Sequence, residues 1–483
     1  MNMSTSSLHN LIAHYLAQNY PLALPPFLGA TGIPPPDLAN PPVPDLPTLV
    51  ADAVSAQLAQ QLAATSLSAG IDGEQTLAEL IKAPLPPTAT LGAVIRSVDD
   101  VSAANLLAVK VATLPRRSFD TATASYHAQW VKSIVAASAD RAIRVIDYAT
   151  GEVTSLLELH KAPALTFAVH PTNSRYLASG SMDGSTVLSD LVTGAVLQRF
   201  QAGKFVVRVA FSADGRWLAA ASYDKSVTLF EAVGSAHAPP PTEDDLPLDE
   251  GDDADLAMEP SLRYEERFKV ATEGNPEAIL FHPRGEWLLF TVRGSHELQY
   301  LRLPGADAGG MDFDSAAAAA EGSVAARTAP WTIATKSFNP HPLDTHVSFA
   351  VLDLALHPSG RVVACLTGDH SGPAKERVLL YGVEPEETER LACLWTGSEG
   401  DDYVLPRLAW LPDGTGIVTT TPTGHLHLLS LGGEKRATLK AHGSRGAGTG
   451  TTDVVRDLDV SPTEDGGYEV VSVGYDRRVQ ISR

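Results

Sequence analysis

Apolar and polar positions alternate along much of this chain in runs of five or six residues. Val207-Arg208-Val209-Ala210-Phe211 is one such run, and a second apolar run, Trp217-Leu218-Ala219-Ala220-Ala221, follows it after a short turn. Alternation of this kind marks a strand with one covered face, and two such runs around a turn mark a hairpin. The intervening turn recurs as His170-Pro171-Thr172-Asn173, Ser212-Ala213-Asp214-Gly215, His282-Pro283-Arg284-Gly285, His357-Pro358-Ser359-Gly360, Leu411-Pro412-Asp413-Gly414 and Ser461-Pro462. After the second run comes a turn built on Asp, as in Ser179-Gly180-Ser181-Met182-Asp183, Ala221-Ser222-Tyr223-Asp224 and Val473-Gly474-Tyr475-Asp476, and then a third strand. Ala137-Ser138-Ala139-Asp140 adds a seventh unit, with its first turn expected around His127-Ala128-Gln129. Asp140, Asp183 and Asp224 lie about 40 residues apart, the period of four-stranded propeller blades. The pattern predicts an all-β, degenerate seven-bladed propeller over 106–483.

These turns resemble those of the WD40 family, whose blades carry a Gly-His pair, a Pro-Asp-Gly-like turn, a Ser-x-Asp turn and a terminal Trp-Asp pair. Here Gly-His is reduced to Leu159-His160 and Ala441-His442, and the Trp-Asp slot holds Ile146-Asp147, Ser189-Asp190, Phe230-Glu231 and Ser482-Arg483. The family's His–Asp–Ser–Trp hydrogen-bond network therefore cannot be complete in any blade. The resemblance implies that His160 with Asp183 and Ser179, and His442 with Asp476 and Ser472, keep three members each. Apolar burial must then hold the blades together.

The last unit supplies only three strands before residue 483. The apolar run 106–112 is the available fourth, and its pairing with the carboxy-terminal strand is expected to close the ring.

Upstream the period changes. Leu8, Leu11, Ile12, Tyr15 and Leu16 recur at helical spacing, Tyr20 and Phe27 follow, and Pro21, Pro25 and Pro26 are expected to interrupt any second helix. The segment 6–33 resembles the LisH motif, a small helical element that pairs with its own copy. That resemblance implies a homodimer, since so short a helix cannot hide its apolar stripe alone; docking on the chain's own propeller is the other way to cover it. A Pro-rich linker with short helices is expected over 34–105, with Val50, Val54, Leu58 and Leu62 on one helix and another near 74–82.

Composition adds constraints. The net charge of −21 opposes non-specific nucleic-acid binding. Much of the acid sits in 234–262, expected as a solvated acidic insertion that acts as a spacer or docks a basic partner, and a second insertion is expected at 305–345. No stretch reads as a signal peptide or membrane span, and two cysteines, Cys365 and Cys393, suit a reducing compartment. The expectation is an intracellular protein, cytoplasmic or nuclear.

Catalytic patterns are missing from the sequence. His170, His282 and His357 occupy one recurring turn, which points to a shared structural slot. His425 and His427 alternate on what reads as an exposed strand without metal-ligand companions, and neither a nucleophile elbow nor a phosphate loop occurs. No cofactor or metal is expected. The resemblances imply a non-catalytic scaffold that binds other proteins or peptides, with a transcriptional corepressor-type subunit as the narrower reading. A ubiquitin-ligase or dynein-regulator adaptor and a lactonase-type propeller hydrolase are the alternatives. The expected partner face lies beside the Asp turns, at Arg141, Met182, Tyr223, Lys225, Tyr475 and Arg477, where the tyrosines either anchor a partner or merely cover the turn.

Overall fold

Five of the six recurring turns do reverse the chain, and the runs on either side pair antiparallel, for example Val209 with Ala220 and Leu354 with Cys365; Ser461 and Pro462 instead still pair with Glu469 and Tyr468, and the reversal falls at 463–467. The structure, a computed structural model, describes residues 13, 16–17, 24–31, 34–36, 76–99, 101–120, 125–233, 262–304, 332–340, 350–368, 376–398, 404–443 and 453–483. Its strands form seven four-stranded sheets. The first strands are Leu106–Asp120, Ala164–Val169, Val206–Phe211, Pro276–Phe281, Val351–Leu356, Leu408–Trp410 and Val455–Pro462, for blades 1 to 7 in order. They touch one another in sequence, and the seventh touches the first, so the sheets close into a propeller around a channel lined by six of these strands.

Apolar burial at the blade interfaces holds the ring. Seven hydrophobic clusters fill the seven contacts between neighbouring blades, such as Val207, Trp217 and Leu229 against Ile279, Leu288 and Phe290 between blades 3 and 4. A fully buried side chain of this size contributes roughly 1.5–3 kcal/mol, so each interface outweighs any single polar link.

Closure differs from the expected pairing. The strand beside Val479–Ser482 is Val94–Val98, whereas Leu106–Asp120 is the first strand of blade 1. Val94–Val98 wins because its neighbours have apolar partners waiting. Leu91 joins the cluster between blades 6 and 7, Val98 and Val101 join that between blades 7 and 1, and Leu77, Leu80 and Ile81 pack between blades 5 and 6. Residues 77–101 therefore stitch three successive interfaces. The turn expected at 127–129 is also displaced: His127, Ala128 and Gln129 pair with Ser118, Arg117 and Arg116 inside a long hairpin of Leu106–Asp120 with Ser125–Ser138. No turn former stands at 127–129, and the alternation simply continues through it.

Residues Met1–Glu74 form a separate unit. There Leu24–Thr31 is helical although Pro25 and Pro26 were expected to break it. Proline is tolerated in a first helical turn, where the N–H it lacks would have no intrahelical partner.

Candidate binding face at the channel mouth

Six of the first strands carry a bulge near their start, between Leu106 and Ala108, Ala164 and Thr166, Val206 and Arg208, Pro276 and Ile279, Val351 and Asp353, and Val455 and Asp457. A bulge re-aims the side chains beside it. Here it brings charged residues to the channel, Arg208, Asp353 and Asp457 directly after the bulge and Arg407 just before Leu408–Trp410, in a lining that also carries Lys110 and Asp459; Arg456 lies within a bulge beside them. The channel encloses about 630 Å³.

The turns between second and third strands lie at the same end of the channel. In each, one backbone N–H donates to the carbonyl just ahead of the first strand: Ala139 to Asn105, Met182 to Pro163, Tyr223 to Phe205, Arg293 to Asn275 and Tyr475 to Val454. These residues are thus equivalent, and the expected positions Met182, Tyr223 and Tyr475 share one face with Arg141, Lys225 and Arg477. Tyr223 and Tyr475 both stand close enough to the Arg456 guanidinium to perturb it. Tyr223 is half-buried, packs on the blade 3–4 core and donates its hydroxyl to Glu277 at 3.1 Å, while Arg293 donates to the same carboxylate at 2.6 Å. Its ring covers the turn, and its polar edge belongs to the mouth.

Arg141, Lys225 and Arg477 have φ of 78°, 63° and 67°. That left-handed region suits glycine, and blade 2 has Gly184 at the matching place, with φ 81°. All three side chains are exposed, as are Lys161 and Lys204 nearby, and none of the five has a carboxylate partner among the described residues. Two exposed apolar side chains, Met182 and Phe205, lie among them.

The turn aspartates themselves are committed to structure. Asp140 accepts from Ser102 and Arg144, and Arg144 approaches to 2.5 Å. Burial works against ionisation of Asp183, but its bonds from Ser185 and the Lys161 N–H outweigh that and bring it down to about 2. His442 bridges Asp476 at 2.8 Å and Ser472 at 2.9 Å. His160 reaches Ser179 at 2.8 Å, but its other ring nitrogen bonds Ser185 at 2.9 Å and stands 3.5 Å from Asp183, so Ser185 relays that link.

The remaining histidines also have structural places. Nδ1 of His170, His282 and His357 accepts the backbone N–H of Asn173, Arg284 and Ser359 respectively, one slot used three times. His427 is buried, not on an exposed strand: its Nδ1 donates to the Thr396 carbonyl, and burial brings its pKa down to about 4. That carbonyl comes from the segment that leaves the preceding blade after Arg390–Trp395. Among the described residues no three His, Cys, Asp or Glu side chains are grouped as a metal site, and no helix is long and apolar enough to cross a membrane.

Of the expected dimerisation residues, Leu8, Leu11, Ile12, Tyr15 and Tyr20 lie outside the described residues; Leu16 is helical and half-buried, and Phe27 is in the Leu24–Thr31 helix with its side chain not described. Sequence reasoning missed Arg208, Arg407, Arg456, Asp353 and Asp457. Their signal was present, as a charge inside an otherwise apolar first strand at the same place in several repeats.

Comparison with known proteins matches residues 194–231, the end of blade 2 and the first three strands of blade 3, to the WD domain, G-beta repeat. The small ribosomal subunit protein RACK1y of Oryza sativa subsp. japonica is 35% identical over 99 residues, which are 20% of this chain and 29% of that protein. The chain thus spans less than a third of the length of that relative.

Proposed function

We propose that this seven-bladed propeller with a WD40 repeat is a non-catalytic protein-interaction scaffold that receives a partner protein or peptide at the channel mouth. The observation that carries the reading is the collection of cations without a carboxylate partner among the described residues, Arg141, Lys161, Lys204, Lys225 and Arg477, around Met182, Phe205 and Tyr475 on a protein whose net charge is −21. A surface so out of keeping with the whole chain steers acidic partners and supplies apolar contact area once they arrive. The matched relative's name places that protein in a ribosomal subunit, and an assembly role of the same general kind fits this reading.

In the same proposal the amino-terminal segment 6–33 pairs with a second copy and makes the scaffold bivalent, with a corepressor-type subunit as the narrower reading. Ile12→Asp then shifts the full chain from dimer to monomer in light scattering while the propeller still melts cooperatively. A monomer for the unmutated chain at micromolar concentration removes the dimer from the proposal.

The face is tested by comparing proteins recovered on the full chain with those recovered on Tyr475→Ala/Arg477→Glu and on Arg284→Glu, which lies in a turn at the far end of the channel. The first variant is expected to lose the partners and the second to keep them. The opposite pattern would place binding at the other end.

A further inference from the structure

Blade 1 carries an extra piece of sheet. The first strands of blades 2 to 5 run six residues, whereas Leu106–Asp120 runs fifteen and returns along Ser125–Ser138. The additional residues carry a two-stranded ribbon up to about 30 Å past the ring, at the end of the channel opposite the mouth. The next strand of the blade, Ile143–Asp147, covers only Ser133–Ala137, so among the described residues the ribbon has no third strand from Ser125 to Val131. Two strands by themselves are marginal in water, and a third completes a sheet.

The two edges of the ribbon differ in chemistry. On Leu106–Asp120 the backbone groups of odd-numbered residues face away from the hairpin: the Val109 and Val111 N–H groups donate to Asp457 and Asp459, each at 2.8 Å, the Thr113 carbonyl accepts the Ser174 hydroxyl at 2.6 Å, and Pro115 has no N–H to offer. Arg116 and Arg117 follow. Proline and charge at an edge keep other strands away. On the opposite edge the Lys132 carbonyl accepts the Tyr148 N–H at 3.1 Å, so the same alternation turns the N–H and C=O groups of Trp130, Ala128 and Tyr126 outward. Between Ser125 and Val131 there is no proline and no Lys, Arg, Asp or Glu, and the Trp130 side chain is 47% exposed.

We infer that this open edge docks an extended, acidic segment of a partner protein, which adds to the ribbon as its third strand. The inference goes beyond the scaffold reading, since the edge lies at the far end of the channel from the mouth. In such docking the backbone groups supply the pairing and the side chains on one face supply the selectivity. Register puts Phe119 opposite Tyr126, Arg117 opposite Ala128 and Pro115 opposite Trp130, so these residues share a face, and Lys132 continues it with its ammonium 4.1 Å from the centre of the Tyr148 ring. An entering strand therefore meets aromatic and apolar positions beside cationic ones. Residues 112–132 hold three cations, Arg116, Arg117 and Lys132, against one carboxylate, Asp120, in a chain whose net charge is −21. The complementary segment alternates apolar residues with Asp or Glu. A second copy of Ser125–Val131, which has no acidic residue, lacks that complement.

The test clears a displayed library of random linear peptides on the full chain carrying Ala128→Pro, selects the remainder on the unmodified full chain, and measures the best peptide by fluorescence anisotropy. Ala128→Pro removes one outward N–H and no hydrogen bond within the ribbon, Trp130→Ala serves as a second variant, and circular dichroism melts check that both keep the ring folded. The selected peptides are expected to alternate apolar and acidic residues, to bind about tenfold or more weakly to each variant, and to bind Tyr475→Ala/Arg477→Glu unchanged. N-methylation of alternate residues in the best peptide gives the signature of a strand: one set of methyl groups abolishes binding and the other set leaves it. No enrichment after clearing, binding that ignores Trp130→Ala, or equal effects of the two methylated sets overturns the inference. Self-association of the full chain that Ala128→Pro removes and Ile12→Asp does not would seat a second copy on the edge and overturns the partner segment. Loss of edge binding with partner recovery still dependent on Tyr475 and Arg477 defeats this inference alone, and the reverse pattern defeats the mouth reading alone.

Discussion

Replacing Arg141, Lys225 and Arg477 together by glycine should stabilise the propeller while stripping the mouth of its outer cations. Their φ values of 78°, 63° and 67° place a Cβ where the backbone carbonyl crowds it. A non-glycine residue there costs roughly 1–2 kcal/mol, and glycine gives back about 0.4–1 kcal/mol through the greater freedom of the unfolded chain. The net gain is about 0.5–1 kcal/mol per turn. The three turns belong to blades 1, 3 and 7 and share no side-chain partner, so the gains should add to roughly 1.5–3 kcal/mol. No ion pair among the described residues is lost in exchange. Urea denaturation of the full chain, followed by far-ultraviolet circular dichroism, should show a higher midpoint at unchanged slope for the triple variant. Partner recovery should fall in the same protein. An unchanged or lowered midpoint would refute the reasoning, because it would mean that the cations hold these turns rather than burden them.

Three further outcomes follow from the geometry. His442→Ala leaves buried Ser472 and Asp476 without their common partner and should cost about 2–4 kcal/mol in denaturation midpoint, against about 1 kcal/mol for Ser185→Ala beside His160. A chain that begins at residue 101 should aggregate on size exclusion, whereas one that begins at residue 76 should elute as a folded species, because only the latter retains the strand paired with Val479–Ser482; equal behaviour of the two contradicts the closure described above. Burial raises Glu376 to about 7, so the folded protein holds that carboxyl protonated. The resulting stability is fully present below 4.5, the ordinary value, and is lost as pH rises through 7, about 3 kcal/mol in all. Glu376→Gln should therefore flatten the fall in melting temperature between pH 5 and pH 8, and an equally steep fall in the variant would assign that loss to another group.

The blades were legible because their information is local. A period-two run, a Pro- or Asp-centred turn and another run specify a hairpin without reference to the rest of the chain, and the seven copies reinforced one another. The closing strand was not legible in the same way. Val94-Ile95-Arg96-Ser97-Val98 is short, with alternate residues exposed, and its pairing is decided by Leu91, Val98 and Val101 finding places between blades far away in sequence. The binding face was half legible. Arg141, Lys225 and Arg477 stood out beside their aspartates, but nothing local says that Arg208, Arg407 and Arg456, separated by up to 248 residues, come within electrostatic range of one another. His427 misled for the same reason: the strand's own pattern does not reveal that the Thr396 carbonyl bonds it.

Because one blade is assembled from Val94–Val98 and Val479–Ser482, the direction of protein synthesis matters to this molecule. At about 5–20 residues per second, the first of these strands waits roughly 20–80 s for its partner to leave the ribosome. During that interval six blades can form in order, but the Leu91 and Val98 seats at either flank of the seventh blade stay incomplete, with unpaired strand edges exposed. A ribosome that halts before Val479 releases a ring that has no means of closing. Closure of the ring therefore comes down to a single late event, the pairing of Val479–Ser482 with Val94–Val98 and the seating of Arg483 against Ala93.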